Sequence, residues 1–345
     1  MSQGSLHYAV VGCSGVGRTH ADGVRDADGV ELVAGVDLDD DAAREFTEEY
    51  DVAGFTDLET AVEEAGIDAV SVCTPSGTHS SIVVECAGLG LDVLCEKPLD
   101  VTAERVNEMV AACEEADATL AGIFQRRTHP GARRAKQAIA EGELGSLVLA
   151  AVDVRWHRSQ EYYDRAEWRG TRAMDGGVLM NQAIHGIDML GWLGGDVGRV
   201  SADLATLAHD IEVPDTAVIN VRLGSGALGQ IRATTAAHGT EPDAAQATHP
   251  VALDLTGRDG SLRLVRDEIE SFETSEGPVE VDLDDRSEFG VGHTMQTQDF
   301  VDSLHENREP MVPASEARKA VDVILAAYES DERDEPVDIA EIREC

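Results

Sequence analysis

An apolar run from His7 to Val11 leads directly into Gly12-Cys13-Ser14-Gly15-Val16-Gly17, after which Arg18 to Val24 can begin a helix. Glu31 to Val36 is again extended and apolar, and it ends at Asp37. Three more runs read as strands: Asp68 to Cys73, Asp92-Val93-Leu94 closing at Glu96, and Thr119 to Phe124. Between them lie helical patterns near Leu58–Ala65 and Thr78–Gly88. A further helix, capped by Asp100 or Thr102, places Val106, Met109, Val110 and Cys113 at 3, 4, 7 spacing. Repeated βα units of this length predict a right-handed, doubly wound parallel sheet over residues 5–125.

After Gln125 the pattern changes. A helix over about Pro130–Glu141 leads to Leu147–Val154, and beyond Gly195 come Val200–Ala208, Ala217–Leu223, Leu228–Ala233, Val251–Thr256 and Ser261–Val265. Short extended runs of this kind predict a second, mostly antiparallel domain over residues 126–345. Gly239–Pro250 is expected as a mobile loop, and the acidic Glu329–Asp334 segment as exposed. Helices near Thr294–Ser303 and Ser315–Tyr328 close the chain, the last one able to pack back on the N-terminal domain.

A length of 345 residues suits two domains, and 42% hydrophobic residues supply a core. The charge changes the picture more. Against 67 acidic residues stand 27 basic ones, a net charge of −40, with the acids dispersed along the chain and only three lysines, Lys97, Lys136 and Lys319. Such a surface fits a halophilic cytoplasm, where salt screens self-repulsion. An acidic face for a basic partner would need clustering that the chain lacks. A nucleic-acid backbone would be repelled, and Arg133-Arg134-Lys136 reads as one solvated helix face. Six cysteines without CxxC spacing, two of them (Cys73 and Cys95) in apolar runs, indicate buried free thiols in a reducing compartment. Neither a signal peptide nor a membrane-spanning run is visible, so a cytoplasmic protein with no membrane partner is expected.

Candidate chemistry gathers at strand ends. A strand–glycine turn–helix brings backbone N–H groups against a pyrophosphate, which makes Gly12, Ser14 (in place of the usual second glycine), Gly15, Val16 and Gly17 cofactor-binding candidates. Asp37 lies about twenty residues on, where a carboxylate accepts hydrogen bonds from an adenosine ribose. Asp39, Asp40 and Asp41 follow and no arginine precedes Arg44, so a 2′-phosphate would be repelled and NAD is favoured over NADP. Thr74-Pro75-Ser76-Gly77-Thr78-His79 lies on the same sheet edge, near the expected nicotinamide ribose. Lys97 ends a strand just before Pro98, at the edge where open α/β sheets bind ligands. In a chain so poor in lysine, that placement favours function over one more surface charge.

A second cluster lies on the apolar stretch Val178–Leu193. At helical spacing Asn181, His185 and Asp188 share one face, which must find partners or a cavity. The plainest alternative is a core histidine hydrogen-bonded to Asp188. Histidine can take the proton from a hydroxyl whose carbon loses a hydride, and with Lys97 it makes an acid/base pair. No spacing supplies the further ligands a metal would need, and no GxSxG elbow suggests a hydrolase.

Taken in order, the glycine turn ending in His20, Thr74-Pro75 with His79, Glu96-Lys97-Pro98, Gln125-Arg126-Arg127, Gly142-Glu143-Leu144-Gly145 and the His185 helix resemble the glucose-fructose oxidoreductase / inositol dehydrogenase family (Gfo/Idh/MocA). Gly292-His293, Asp299-Phe300 and Arg308-Glu309-Pro310 resemble its C-terminal pattern. The resemblance implies an α/β chain: an N-terminal Rossmann domain, then a C-terminal α/β domain with a large, mostly antiparallel open sheet used for dimer or tetramer contacts. It implies hydride transfer between NAD(P) and a sugar, sugar derivative or cyclitol. Lys97 matches the family's Glu-Lys-Pro lysine, whose motif also brings Glu96 to the cofactor, and His185 matches its catalytic histidine. A cis Lys97-Pro98 bond is implied as well. Where the family often has aspartate, four residues before the histidine, this chain has Asn181, which cannot take a proton. Arg127, Tyr163, Arg169 and Asn181 are the expected substrate contacts, with domain-interface packing as their alternative. Met180-Asn181-Gln182 with Trp168-Arg169-Gly170-Thr171 looks like members acting on nucleotide-linked or uronic sugars. Two other activities stay open: a regulator that binds NAD(P) without turnover, and a redox-assisted glycosidase or epimerase that retains NAD.

Overall fold

The computed structural model describes residues 4–238, 251–281 and 290–343. The Gly239–Pro250 loop lies outside them. Two compact units emerge, one from residues 1–100, 104–125 and 288–318, the other from 101–103, 126–287 and 319–345.

In the first unit six strands form one sheet: β1 (Leu6–Val11), β2 (Val30–Val36), β3 (Ala53–Phe55), β4 (Ala69–Val72), β5 (Asp92–Cys95) and β6 (Leu120–Gly122). Their order is β3-β2-β1-β4-β5-β6, and every pairing is parallel. All four residues of β4 are buried, as a strand covered on both faces requires, which is why these strands read as unbroken apolar runs. The strand order reverses between β1 and β4, and a crevice opens outside their carboxyl ends. β3 was not expected; Ala-Gly-Phe is too short to carry a periodicity.

The segment over residues 290–318, expected with the C-terminal domain, belongs to this unit. Its helix Val291–Glu306 buries Phe300 and Val301, and Phe300 meets Tyr8 of β1 edge-on at 6.5 Å. Gln296 on the same helix donates to the Gly122 carbonyl (2.7 Å) and accepts from the Phe124 N–H (2.9 Å). Val312 accepts from the Gly122 N–H, so the exposed side of edge strand β6 is hydrogen-bonded by the returning chain.

In the second unit nine strands form a sheet: β7 (Leu147–Arg155), β8 (Val197–Ala205), β9 (Thr216–Leu223), β10 (Leu228–Thr234), β11 (Ala252–Gly257), β12 (Gly260–Val265), β13 (Glu268–Thr274), β14 (Gly277–Pro278) and β15 (Val337–Asp338). Only the β7–β10 pairing is parallel. β9 shows the pattern of a half-covered sheet, with Ala217, Ile219, Val221 and Leu223 buried between exposed neighbours. β13 to β15 escaped the sequence pattern, being short or, in β13, mostly charged and polar. The helix Ile184–Gly194 rests against β7 at Gly186, where a Cβ would come within 2.7 Å of Val152. The helix expected over Ser315–Tyr328 runs Ala314–Arg333 and takes in most of the acidic Glu329–Asp334 segment, of which Asp331 to Asp334 are exposed, as expected, and Ser330 is buried. Cys13, Cys73, Cys86, Cys95 and Cys113 are buried and free. Among the described residues no helix is long and apolar enough to cross a membrane.

One buried carboxylate fixes the turn between β8 and β9. Asp215, fully buried, accepts from the N–H groups of Leu207, Ala208 and His209, from the Thr216 hydroxyl and from His209 Nδ1, all within 3.0 Å. Burial pushes its pKa up, but these donors outweigh that and hold it below the usual range. A folded-state pKa below the unfolded one adds stability above the unfolded pKa of about 4, and that stability is lost as pH falls through the folded value. Asp215→Ala is therefore expected to cost about 3 kcal/mol at pH 7 in denaturant unfolding. The gap to wild type should narrow below about pH 4; a gap independent of pH would contradict the assignment.

Candidate active site

The glycine turn follows β1. Gly12 has φ +97°, and a Cβ there would meet the Cys73 backbone at 2.8 Å; a Cβ on Gly17 would meet the Gly12 carbonyl at 1.9 Å. Nothing larger fits either place. Above Gly15, by contrast, a Cβ would find nothing within 4 Å. The helix Val16–Asp26 that starts here has no side-chain cap, the Gly17 and Arg18 N–H groups turning back to the Ser14 and Gly15 carbonyls (3.0 and 3.3 Å), and its N-terminal end beside that open space suits a pyrophosphate. The residues present thus fit a dinucleotide. A cleft of about 600 Å³ adjoins the turn, lined by Gly12, Ser14, Asp37, Leu38, Asp57, Thr74, Pro75 and Thr78 among others. Asp37 accepts from the N–H of Cys13 (2.9 Å) and of Asp39 (3.0 Å), which ties the ribose-binding position to the turn.

Sequence reasoning placed His79 among the cofactor contacts. In the structure it is instead a brace between two loops. The side chain is buried, and its ring nitrogens each lie 2.8 Å from a backbone carbonyl, of Pro98 and of Thr74, so it ties the β4 turn to the β5 turn. Thr78 adds a bond to Thr74 Oγ1 (2.8 Å), so Thr74 and Pro75 are presented to the cleft on a fixed loop.

Lys97 follows β5 at the same sheet edge, and the Lys97-Pro98 bond is cis. The Lys97 N–H donates to Glu96 Oε2 at 3.0 Å. Glu96 itself is buried and ends a ladder. His20 Nε2 lies 3.0 Å from Glu96 Oε1, His20 Nδ1 lies 2.8 Å from Ser71 Oγ, and Ser71 Oγ lies 2.9 Å from the Tyr8 hydroxyl. Burial pushes the Tyr8 phenol up, so it stays a donor. Donation from Tyr8 to Ser71, Ser71 to His20 and His20 to Glu96 then satisfies every group. His293 Nε2 stands 3.7 Å from Glu96, an ion-pair distance beyond hydrogen-bond range. Burial alone would raise the Glu96 pKa; His20 and His293 outweigh it and hold the carboxyl well below its ordinary value. His20, Glu96 and His293 bring ligand atoms within 4.8 Å of one another, a set that could hold a metal ion. Since the ladder already engages both nitrogens of His20, an ion would have to displace it. Sequence reasoning named Glu96 as a cofactor contact and gave His20 and His293 no role. A histidine among the buried Gly17, Ala21 and Val24 of one helix face was the available signal.

In the second unit the stripe expected on one helix is divided. Residues Leu179–Ala183 form a π-helical turn between helical Gly177-Val178 and the α-helix from Ile184, so 3.6-residue spacing does not carry across. Asn181 donates from Nδ2 to Asp175 Oδ1 (2.7 Å) and accepts from Gln182 (3.1 Å). Asp175, buried and given no role by the sequence pattern, also accepts from the Gly170 N–H at 2.8 Å. Asp188 pairs with Arg127, which donates through Nε at 3.0 Å and Nη2 at 2.5 Å. Both members of that pair are buried, so Arg127, expected at the substrate, is a structural ion pair. Tyr163 is buried too, its hydroxyl 3.2 Å from Thr235 Oγ1. Asn181, His185 and Arg169 remain half-buried.

A family model described as "Oxidoreductase family, NAD-binding Rossmann fold" matches residues 6–124, and one described as "GFO/IDH/MocA C-terminal domain" matches residues 132–263. The chain is 31% identical over 234 residues to myo-inositol 2-dehydrogenase of Thermotoga maritima, covering 66% of this chain and 67% of that protein. Among solved structures, the WlbA dehydrogenase of Chromobacterium violaceum in complex with NADH and UDP-GlcNAcA is 31% identical, with a TM-score of 0.87 over 98% of this chain and 97% of that one. The WlbA dehydrogenase of Bordetella pertussis, with the same ligands, is 29% identical, with a TM-score of 0.86 over 97% and 98%.

The ladder generates a prediction. Glu96→Gln sets an amide N–H₂ against the Lys97 N–H or the His20 donor, and is expected to cost about 2 kcal/mol in unfolding free energy. A double-mutant cycle with His20→Asn should give a coupling energy of about 1 kcal/mol or more. Strictly additive effects would show that the two groups do not act together.

Proposed function

Because the chain belongs to the Gfo/Idh/MocA family of NAD-binding oxidoreductases, we propose that it oxidises or reduces one carbon of a sugar, sugar derivative or cyclitol, with Lys97 and His185 as its acid/base pair. The observation that carries this reading is the placement of Lys97. It stands at the carboxyl edge of the same sheet as the glycine turn and Thr74-Pro75, and its backbone is held by an ionised Glu96. When bound, NAD supplies the hydride acceptor. The Lys97 ammonium donates a hydrogen bond to the reacting oxygen. His185 takes the hydroxyl proton, a role that falls to it because Asn181 is an amide locked between Asp175 and Gln182. In the reducing direction the same proton returns to the alkoxide oxygen. Asp37 and the acidic residues around it support NAD over NADP.

A panel of aldoses, inositols, uronic acids and nucleotide sugars, assayed with NAD and NADP at molar salt, tests the reading. Lys97→Ala and His185→Ala are expected to lower kcat by about 10²- to 10⁴-fold on any substrate found. His185→Ala should also flatten the acidic limb of the kcat profile, where a histidine base would be protonated. Full turnover by Lys97→Ala would remove the mechanism, and turnover without net NADH change would favour the epimerase alternative.

Homo-oligomer formation is part of the proposal. One face of the nine-stranded sheet carries Leu149 on β7 and Leu228 on β10, partners in register and 46 and 50% exposed, and on the same face Val218 of β9, 40% exposed, opposite Arg232. Light scattering is expected to give a dimer or tetramer, and a monomer would refute it.

A further inference from the structure

Two arginines of the second unit converge on a single aromatic ring. Arg127, Arg134, Arg155, Arg232 and Arg263 each meet a carboxylate. In a chain with 67 acidic residues such partners are abundant. Arg158 and Arg169 have none among the described residues, yet they converge: their Cζ atoms lie 4.4 and 4.2 Å from the centroid of the Tyr162 ring. Arg169 also rests on Trp168 at 4.8 Å and Arg158 on Trp156 at 5.5 Å. The Nε of both arginines and the indole Nε1 of Trp156 are shielded from solvent without a hydrogen-bond acceptor. Two like charges and three buried donors without acceptors form a costly arrangement in isolation.

The surrounding backbone is built to hold this arrangement. The Arg158 N–H donates to Thr235 and its carbonyl lies 2.9 Å from His209 Nε2, while His209 is anchored by the buried Asp215. Arg169 precedes Gly170, whose N–H is fixed by Asp175, and the other oxygen of Asp175 holds Asn181. One carboxylate thus links the arginine pair to the turn four residues ahead of His185. The cluster is half-buried, so part of it is open to solvent.

We propose that Arg158 and Arg169, stacked on Tyr162, form an anion subsite that receives the carboxylate or phosphate of an acidic sugar. A planar guanidinium fork matches either oxyanion, and an anion supplies the acceptors and the charge that the site lacks. Trp156 and Trp168 offer aromatic faces for the attached ring. The subsite names the substrate class of the proposed oxidoreductase and rests on that reading.

Calorimetric titration of the full chain loaded with NADH tests it, with three matched sets: glucose, glucuronate and glucose 1-phosphate; galactose, galacturonate and galactose 1-phosphate; UDP-glucose and UDP-glucuronate. At least one acidic member is expected to bind about tenfold or more tighter than its neutral partner. Preference for glucuronate or galacturonate identifies a carboxylate as the ligand, and preference for the 1-phosphates a phosphate; UDP-glucuronate over UDP-glucose makes the carboxylate decisive even beside a diphosphate. Arg158→Gln with Arg169→Gln should bring the ratio near one, while Arg158→Lys and Arg169→Lys retain part of it; unchanged NADH affinity certifies that each variant is folded. Equal binding of acidic and neutral sugars by wild type, no binding of any acidic sugar, or a ratio that survives the double glutamine variant would each overturn the subsite. The titration needs no turnover. A chain that prefers glucuronate but forms no NADH would leave the subsite standing and refute the oxidoreductase reading, and oxidation of neutral polyols without acid preference would do the reverse.

Discussion

A carboxylate taken out of water must be matched donor by donor, and this chain uses that requirement to fix the loops that carry its chemistry. Glu96, Asp175, Asp188 and Asp215 are all at most 5% exposed. Glu96 holds the Lys97 N–H and the His20 ring. Asp175 holds the Gly170 N–H and the Asn181 amide, and Asp215 gathers three successive N–H groups of the β8–β9 turn. Asp188 pairs with Arg127. Backbone donors are directional, so each of the first three anchors sets a loop conformation as well as neutralising a desolvation cost. Lys97 and Arg169 each sit at or beside such an anchored residue, which limits how far their backbones can wander.

The sheet of the first unit was legible because its strands are covered on both faces and must be apolar throughout. The glycine turn was legible because Gly12 and Gly17 have no room for a Cβ. What the pattern missed has physical reasons as well. β3 is three residues long, and β13 pairs its neighbours with a largely exposed face. That residues 290–318 complete the first unit depends on Gln296 meeting Gly122, 174 residues away, and on Phe300 meeting Tyr8, farther still. No local window contains them.

The candidate site was partly legible. Lys97 and Asp37 stand at strand ends, where topology alone gives meaning to a charged residue. His185 and Asn181 were found through helical spacing, yet the π-helical turn over Leu179–Ala183 breaks that spacing, and Asp188 departs to Arg127. Arg127 and Tyr163 were expected at the substrate from the family resemblance; burial pairs them with Asp188 and Thr235. Asp175 was invisible. In a sequence with acids everywhere, no composition signal separates a buried anchor from a solvated surface carboxylate.

The same acidity constrains how the protein can attract anything negative. A net charge of −40 repels both a dinucleotide and an acidic sugar at long range, and salt confines that repulsion to about 10 Å or less at physiological ionic strength and above. Recognition must then come from short-range donors that outweigh a diffuse field. The glycine turn answers with the N-terminus of a helix, whose backbone dipoles carry no net charge to be neutralised by surrounding acids. Arg158 and Arg169 answer with guanidinium groups stacked on aromatic rings, weakly hydrated and held away from every carboxylate described. Mobile lysines on the surface would be captured by neighbouring acids, as Lys319 is by Asp196. An anion site in such a protein therefore gains from donors that the backbone or ring stacking already holds in place.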